Sequence, residues 1–414
     1  MNTLSKRRKT PNLLILGASG SVARALLRRL GGRRDHFRRL VLLDRNDHVR
    51  EDRFLEHRRL SYHFVLRWLR WPDDRVFYQD LLRRHRIDIV VDLTDMDTLP
   101  VLAASDAIGV SYLNTSLNDD RRQVPELVTA LYPTRERPRR APHILCSGMN
   151  PGVVNSWVCH GVRRYGVPQE IVHFEYDTST PADGWRPIIT WSKKEFLTET
   201  AWEPTGQMVD GMLATRCGNA FDNREDLTPY LKPILPLPAY PKALLVLHEE
   251  NMTLGRKFGV SSKFLYAIHP KTMDYLVRRQ KQRGRLRLSD VELANNTSVP
   301  LDGSDTIGVC LEYPRQRVFY LHSLANSAAI GTNATCAQVA LGVYAGLFTL
   351  LDDRLAPRIY FPDDLYDTLY PHVVFDNMRV QHFVFARRKR MLVLRRHEAA
   401  LRLRAPDRVE QVVI

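Results

Sequence analysis

Residues 13–30, LLILGASGSVARALLRRL, constrain the fold of this chain more than any other stretch. An apolar run from Leu13 to Leu16 meets a glycine turn, and the apolar residues that follow recur with helical spacing. The pattern predicts a strand, a tight turn and a helix. Gly17 allows the turn, Gly20 lets the backbone approach a pyrophosphate, and the helix N-terminus directs N–H groups at the phosphate charge. We therefore predict a dinucleotide site formed by Gly17, Ser19, Gly20, Ser21 and Val22.

Asp44 indicates which dinucleotide binds. A second apolar run, Leu40 to Leu43, ends at this residue, and a carboxylate at the tip of the second strand accepts both hydroxyls of an adenosine ribose. The same carboxylate repels the extra phosphate of NADP, so the sequence favours NAD, although the neighbouring Arg45 weakens that preference. We assign Thr94, which follows the apolar strand IDIVVDL, to the same site.

The order of the apolar runs predicts an α/β protein. Strands alternate with helical patterns in residues 1–147, which favours a Rossmann-type doubly wound parallel sheet. Residues 148–328 have the pattern of a second, mixed α+β domain that binds the substrate. A long apolar helix begins near Asn333, and we expect it to return to the first domain, so that residues 329–414 pack back on that domain.

Residues 175–203 form an acidic island in a chain whose formal net charge is +15. They contain six acids and three bases. Carboxylates beside an aromatic ring make a site for an organic cation, because the ring face attracts the charge and the acids hold an ammonium through charge-assisted hydrogen bonds. The simpler alternative is a solvated acidic helix face with one tryptophan in the core. The residues concerned are Glu175, Asp177, Asp183, Trp191, Glu195, Glu199 and Glu203.

The basic excess lies mainly in arginine runs near residues 28–39, 83–86 and 387–396. Such runs occur in nucleic-acid-binding proteins. None of them forms a known reading module, and most lie on the polar sides of predicted helices, where a solvated face is the usual explanation. We therefore expect no nucleic-acid partner.

The same composition bears on membranes and metals. No apolar stretch approaches the ~18 residues that a membrane span needs, and the short apolar run near the N-terminus is required as the first strand. We expect a cytoplasmic protein without a membrane partner. The five cysteines are scattered without a C-x-x-C pair, which favours neither a disulfide framework nor a metal site.

Eight sequence blocks along most of the chain add a family resemblance. They are the Gly17/Gly20 turn with Asp44, GMNPGVV at 148–154, EYDT at 175–178, TWSKKEFLTE at 190–199, HEEN at 248–251, DGSDTIGV at 302–309, NATCAQV at 333–339 and FPDDLYD at 361–367. In this order they resemble the bacterial-type homospermidine synthases, within the wider saccharopine dehydrogenase-like group. The resemblance implies NAD as cofactor, polyamine substrates and a homodimer.

The narrowest marker of the resemblance is the TWS block, in which Glu199 follows Trp191 by eight residues. Carried over by position, Trp191 would be the residue that makes a cation–π contact. Glu175 and Glu199 would be the acids that bind the amine. The simpler interpretation of Trp191 is a core aromatic.

Three further residues take roles by position. Asn150 would lie near the nicotinamide, His248 in the pocket, and Asp305 at the far end as another acid. Each also has a structural interpretation: Asn150 as a turn former before Pro151, His248 as a hydrogen-bonded histidine, and Asp305 as a turn acid in DGSD.

Two features depart from the family's pattern. Where the family tends to carry an acid in the loop after the strand VSYL, this chain has Asn118, followed by Asp119 and Asp120. The chain also lacks an insertion between Asn150 and Glu175. We therefore expect a difference in substrate length or in the amine held at one end.

The resemblance implies an aminobutyl transfer without net oxidation. An alkylammonium, with a pKa of about 10.4 by analogy with lysine, must lose its proton before hydride can leave the neighbouring carbon, so His248 or an acid would serve as base. Hydride passes to NAD, a second amine attacks the imine, ammonia leaves and the hydride returns.

Two alternatives remain. One is a reductive-condensation dehydrogenase that consumes NAD(P)H, with Arg186 or Lys193 binding a substrate carboxylate. The other is a catalytically degenerate NAD-binding regulator.

Overall fold

The computed structural model describes residues 10–31, 37–52, 55, 61–294, 299–389 and 391–403. Some sequence features discussed above lie outside the described residues. They are the polar start of the chain, Arg33 and Arg34 of the first arginine run, Arg390 of the last run, and the end of the predicted C-terminal segment.

The first sheet contains seven parallel strands. They are β1 (Asn12–Leu16), β2 (Arg39–Asp44), β3 (His63–Leu66), β4 (Ile89–Asp92), β5 (Ser111–Asn114), β6 (His143–Ile144) and, from the C-terminal part of the chain, β19 (Ile359–Tyr360). Their order is β19-β6-β5-β4-β1-β2-β3. The strand order reverses between β1 and β4, and ligands of such sheets bind at the carboxyl ends of the strands at that reversal.

Four helices accompany this sheet: α1 (Ser21–Leu30), α2 (Arg75–His85), α3 (Thr98–Asp106) and α4 (Val124–Leu131). The predicted strand–turn–helix is present, because β1 is buried along its whole length and α1 buries Ala23, Leu26, Leu27 and Leu30. The α/β class and the doubly wound parallel sheet are therefore confirmed.

The second sheet is mixed and has ten strands. Its path runs β11-β10-β14-β7-β17-β18-β20-β21, and β13 joins β12 to β14. The pairing of β14 with β7 is parallel, and the neighbouring pairing of β17 with β7 is antiparallel. The strands are β7 (Glu170–Asp177), β10 (Gly206–Val209), β11 (Met212–Thr215), β12 (Arg224–Asp226), β13 (Lys242–Val246), β14 (Ser261–Ile268), β17 (Ser304–Glu312), β18 (Gln316–Ala325), β20 (Gln381–Arg388) and β21 (Met391–Glu398).

The remaining elements are helices and two short ladders. The helices are α5 (Val153–Tyr165), α6 (Lys193–Leu197), α7 (Thr228–Leu231), α8 (Glu249–Phe258), α9 (Pro270–Arg283), α10 (Ala334–Asp352) and α11 (Leu369–Asn377). The ladders pair β15 (Glu292–Leu293) with β9 (Ile188–Ile189) and β16 (Leu301–Asp302) with β8 (Thr180–Pro181).

Helix α10 connects the two sheets. It packs against α1 and β5 on one side and against β17 and β18 on the other, as the expected return to the first domain requires. Contrary to our expectation from the sequence, its length and mean hydropathy of 1.6 would suffice for a membrane span. However, 83% of that apolar window is buried inside the fold. The apolar composition is that of a helix covered by protein on nearly all sides.

Gly342 allows α10 to lie directly on the turn that precedes α5. A Cβ atom at Gly342 would lie 1.7 Å from the carbonyl oxygen of Gly148. Next to this contact, Oγ of Ser147 donates a hydrogen bond to the carbonyl oxygen of Gly342 at 2.8 Å. Helix and turn are thus in backbone contact, which fixes the position of Asn150 within the turn.

The end of the chain differs from the prediction that residues 329–414 as a whole pack on the first domain. Strand β19 does join the first sheet, through β6. Strands β20 and β21 instead extend the second sheet beyond β18. The physical reason is that β18 presents a full strand edge, on which β20 pairs from Gln316 to Leu321, whereas local apolar alternation does not specify which sheet a strand joins.

Candidate active site

One cavity of about 1630 Å³ lies between the loops of the first sheet and the carboxyl end of β7. Both groups of predicted site residues line it, apart from Asp305. The nucleotide group comprises Gly17, Ser19, Gly20, Ser21, Val22, Asp44 and Thr94, and the substrate group comprises Asn150, Glu175, Trp191, Glu199 and His248. The structure therefore brings together residues that are far apart in sequence, while their individual roles stay predictions.

The nucleotide end of the cavity is formed by the turn after β1. Gly17 has a φ of +73°, and a Cβ atom there would lie 2.8 Å from the carbonyl oxygen of Leu93, so only glycine fits this position. Gly20 caps α1 without a side-chain hydrogen bond, which leaves the first N–H groups of the helix for an anion. These features fit the pyrophosphate of a dinucleotide.

Asp44 borders the same turn. Its carboxylate accepts hydrogen bonds from the backbone N–H of Ser19 at 2.8 Å and of Asn46 at 3.1 Å. Each carboxylate oxygen has a second lone pair, so the side chain is held in place and can still accept ribose hydroxyls. Its role as the ribose-binding carboxylate stays a prediction.

The substrate end contains a cluster of three buried carboxyl groups, Glu175, Asp177 and Asp305. Glu175 and Asp177 point to the same side of β7 because they are two residues apart, and Asp305 on β17 is the direct partner of Asp177. Among the residues that the structure describes, none of the three carboxyl groups forms an ion pair. Burial raises the pKa of Glu175 to about 8, and it raises the pKa values of Asp177 and Asp305 as well.

Asp305 does not have the position that the resemblance implied. Its side chain is fully buried and does not line the cavity. The side chain of Gln338, on α10, donates a hydrogen bond to its Oδ2 at 3.0 Å. The helix thus covers Asp305. Asp305 lies beside Asp177 in the sheet and does not form the far end of the pocket.

Trp191 forms part of an aromatic wall beside the carboxyl cluster. Its Nε1 donates a hydrogen bond to the hydroxyl of Tyr266 at 3.3 Å. Tyr266 is the direct partner of Glu175 across β14 and β7, and it stacks on Phe264 with ring centroids 6.1 Å apart. Sequence analysis missed Tyr266 and Phe264, although their i, i+2 spacing in a strand indicates one shared face.

His248 lies among glutamates at the start of α8. Its Nδ1 is 2.5 Å from an oxygen of Glu250 and 3.5 Å from one of Glu249, and its Nε2 is 3.7 Å from one of Glu199. Burial alone would lower the pKa of His248, but these three acids raise it well above its usual value. The neighbouring acids therefore favour the protonated form of His248, and the choice between His248 and an acid as the base stays a prediction.

Glu199 faces His248 from a short π-helical turn, Thr198–Trp202. Burial raises its pKa to about 8. The ligand atoms of His248, Glu249 and Glu250 lie within 4.8 Å of one another, a spacing that a metal ion would accept. The sequence favours no metal, and that expectation stays a prediction.

The structure places Asn118, where the family tends to carry an acid, in the lining of the cavity. Asp119 instead pairs with Arg122 at 2.7 Å and Asp120 pairs with Lys194 at 2.9 Å. The two aspartates are engaged elsewhere, so neither replaces an acid at position 118. Glu195, which the sequence roles omitted, lines the cavity, and burial raises its pKa to about 7.

Comparison with known proteins supports the first domain and the fold. Residues 13–141 match the family described as the saccharopine dehydrogenase NADP binding domain. This match confirms the prediction of a nicotinamide dinucleotide cofactor. No curated protein is similar enough in sequence to be matched to the chain.

Three solved structures illustrate the range of similarity. The homospermidine synthase of Legionella pneumophila in complex with NAD has 14% identity and a TM-score of 0.71, over 89% of this chain and 89% of that chain. The myo-inositol 2-dehydrogenase of Lactobacillus plantarum has 9% identity and a TM-score of 0.41, over 85% and 91%. The bulky-bulky ketone specific alcohol dehydrogenase of Comamonas testosteroni has 16% identity and a TM-score of 0.24, over 33% and 75%. The first of these confirms the fold that the sequence resemblance implied, and the other two carry no argument.

Proposed function

We propose that this protein is a homospermidine synthase-like enzyme, which transfers an aminobutyl group from putrescine to a second amine and releases ammonia, with NAD restored at the end. The cluster of Glu175, Asp177 and Asp305 carries the proposal. Three buried acids without an ion pair in the described part of the chain require protons or a bound cation. A diamine held against Glu175, the member of the cluster that lines the cavity, supplies that positive charge, and the same cavity contains the dinucleotide loops.

Glu175 is the member of the cluster best placed to act on substrate. It lines the cavity, and Nδ2 of Asn150 donates a hydrogen bond to its Oε2 at 2.7 Å. Its pKa of about 8 is closer to that of an alkylammonium than the pKa of an ordinary carboxyl group. We assign to Glu175 both the binding of the ammonium and the removal of its proton, with Asn150 as its positioning residue.

The rest of the cavity serves the cationic intermediate. A bound nicotinamide would supply the acceptor for the hydride of the carbon that carries the amine, and the donor for the new carbon–nitrogen double bond. The face of Trp191 stabilises the positive charge of the substrate iminium by a cation–π contact. Tyr266 holds the indole through its hydrogen bond. Glu199 and Glu195 bind the distant ammonium of the donor or the acceptor amine.

The redox balance tests the proposal directly. With putrescine and a catalytic amount of NAD, we expect a secondary amine product and one ammonia for each new carbon–nitrogen bond, without accumulation of NADH. Mass spectrometry of the product, an ammonia assay and absorbance at the NADH band measure the three quantities. A reaction that needs stoichiometric NADH and an added aldehyde or keto acid would contradict the proposal.

The alternatives from the sequence receive less support. A reductive-condensation dehydrogenase needs a cation for the substrate carboxylate. Arg186 pairs with Asp183 at 3.0 Å, and Nζ of Lys193 donates hydrogen bonds to the carbonyl oxygens of Leu288 and Val291. Both cations are thus engaged. A degenerate regulator would have no reason to keep Glu175 in the cavity, buried and without an ion pair among the residues that the structure describes.

Asp44 is expected to set the preference for NAD over NADP. In the Asp44→Ala variant, the dissociation constant of NADP divided by that of NAD should fall by about 10-fold. The reason is that a hydrogen bond to a charged group contributes ~1.5–3 kcal/mol, and the repulsion of the 2′-phosphate is lost as well. Isothermal titration with each dinucleotide measures the ratio. Asp47→Ala, an exposed neighbour outside the cavity, is the control. An unmodified protein that prefers NADP would show that Arg45 is the dominant contact instead.

A further inference from the structure

Trp68 is a large aromatic side chain that is 59% exposed. It lines the nucleotide end of the cavity together with Asp44 and Arg45. Isolated exposed apolar residues are common on proteins, but an exposed tryptophan at the edge of a ligand cavity has a large flat face available for stacking. Trp68 therefore lies where one end of a bound dinucleotide could reach it.

The backbone places Trp68 next to the ribose site. Leu66, the last residue of β3, is the register partner of Asp44 in β2, and the N–H of Arg67 donates a hydrogen bond to the carbonyl oxygen of Asp44 at 2.8 Å. In a dinucleotide, the ribose lies between the pyrophosphate and the adenine. If the pyrophosphate binds at Gly17 and the ribose at Asp44, the adenine must lie beyond Asp44, on the side away from Gly17. Trp68 is the aromatic residue found there.

The segment that carries Trp68 is held on both sides. The side chain of Arg67 bonds to Oδ1 of Asp74, with Nε at 3.1 Å, and the N–H of Arg70 donates to Oδ2 of the same residue at 2.7 Å. The guanidinium of Arg70 lies 4.2 Å from the centroid of the Trp68 ring. A stacked guanidinium occupies one face of the indole. The opposite face is the one left for a ligand.

We propose that Trp68 is the stacking surface for the adenine of the bound dinucleotide, backed by Arg70 on its other face. The inference rests on the proposed function only in requiring an adenine dinucleotide as cofactor. It predicts that affinity depends on Trp68 for every ligand that carries the adenosine half, and that catalysis by saturated enzyme does not.

The test compares Trp68→Ala with Trp68→Phe in the full-length protein. Base–aromatic stacking contributes ~1–3 kcal/mol by alanine substitution, so the dissociation constants of NAD and ADP-ribose should rise by about 5-fold or more in Trp68→Ala. In Trp68→Phe they should stay within about 3-fold of the original values. Nicotinamide mononucleotide, which lacks adenine, should bind all variants equally. Val76→Ala, an exposed apolar residue of α2 outside the cavity, is the matched control.

The outcomes separate this inference from the proposed function, because binding is measured without any amine. Weaker NAD and ADP-ribose binding in Trp68→Ala alone supports the stacking role, even if putrescine is not converted. If Trp68→Ala binds both ligands as tightly as Val76→Ala does, or if nicotinamide mononucleotide weakens in parallel, the stacking role is overturned, even if the aminobutyl transfer is observed.

Discussion

Replacing Glu175 by glutamine should lower kcat/KM for putrescine by about 150-fold. Glutamine keeps the shape and can still accept the hydrogen bond from Asn150, so the change removes only the negative charge and the basic oxygen. Removing one partner of a buried charge pair costs ~3–5 kcal/mol, and the lower figure corresponds to this factor. Steady-state assays of product formation, with NAD saturating, measure the effect.

The stability of the same variant distinguishes a functional role from a structural one. The pKa of Glu175 is raised from 4.5 to about 8, so between these pH values the folded protein keeps a proton that the unfolded chain releases. This group therefore makes stability fall as the pH rises from about 4.5 to 8. Glu175→Gln removes that dependence and should melt at the same temperature as the original protein, or higher, at pH 8.

Glu292→Gln provides the control for Glu175. Glu292 is an exposed acid of the same domain that does not line the cavity. We expect this variant to keep full activity and an unchanged melting curve. Full activity of Glu175→Gln would remove Glu175 from the mechanism, and a large loss of stability at pH 8 would show that its carboxylate is structural.

Replacing Trp191 by leucine should lower kcat/KM by about 30-fold, whereas phenylalanine should retain partial activity. A desolvated cation–π contact contributes ~2 kcal/mol, and leucine offers apolar bulk without an aromatic face. Both variants lose the hydrogen bond from Nε1 to Tyr266, so the difference between them reports the ring face alone. Activity and melting temperature should be measured together, because Trp191 also packs against the core around Phe196 and Ile189.

Trp185 supplies the matched control for Trp191. It lies in the same segment, donates its own hydrogen bond to Thr272 at 3.1 Å, and does not line the cavity. Trp185→Leu should leave kcat/KM for putrescine within about 2-fold. Equal activity of the leucine and phenylalanine variants at position 191, with unchanged melting temperatures, would mean that Trp191 is a packing residue.

The parts of the fold that the sequence predicts are those with local causes. Gly17 needs a positive φ, Asp44 ends a buried strand, and the N-terminus of α1 follows from the helical pattern after Gly20. Each is determined within a few residues. The nucleotide end of the cavity could therefore be predicted almost completely, apart from Trp68, whose role depends on where the loop after β3 lies.

The carboxyl cluster could be predicted only in part, because its geometry depends on strand register. Asp177 and Asp305 meet since β7 and β17 pair with these residues opposite each other, and no local pattern specifies that pairing. Gln338 on α10 covers Asp305. This residue lies outside the DGSD motif, so the motif itself contains no indication of the cover. The resemblance implied that Asp305 lies at the far end of the pocket, whereas the structure buries it outside the lining of the cavity.

The contact between Gly342 and Gly148 sets where this chain can be recombined with a relative. A Cβ atom at position 342 would collide with the carbonyl oxygen of Gly148, so a hybrid needs glycine at 342 and is best built with the helix and the turn at 148 from one parent. Exchanging residues 153–328 as a cassette preserves the pair and replaces most of the substrate domain. A crossover at any point from 153 to 333 with a single parent change would separate them. Libraries that alter amine specificity should therefore use two junctions, with the second placed before α10.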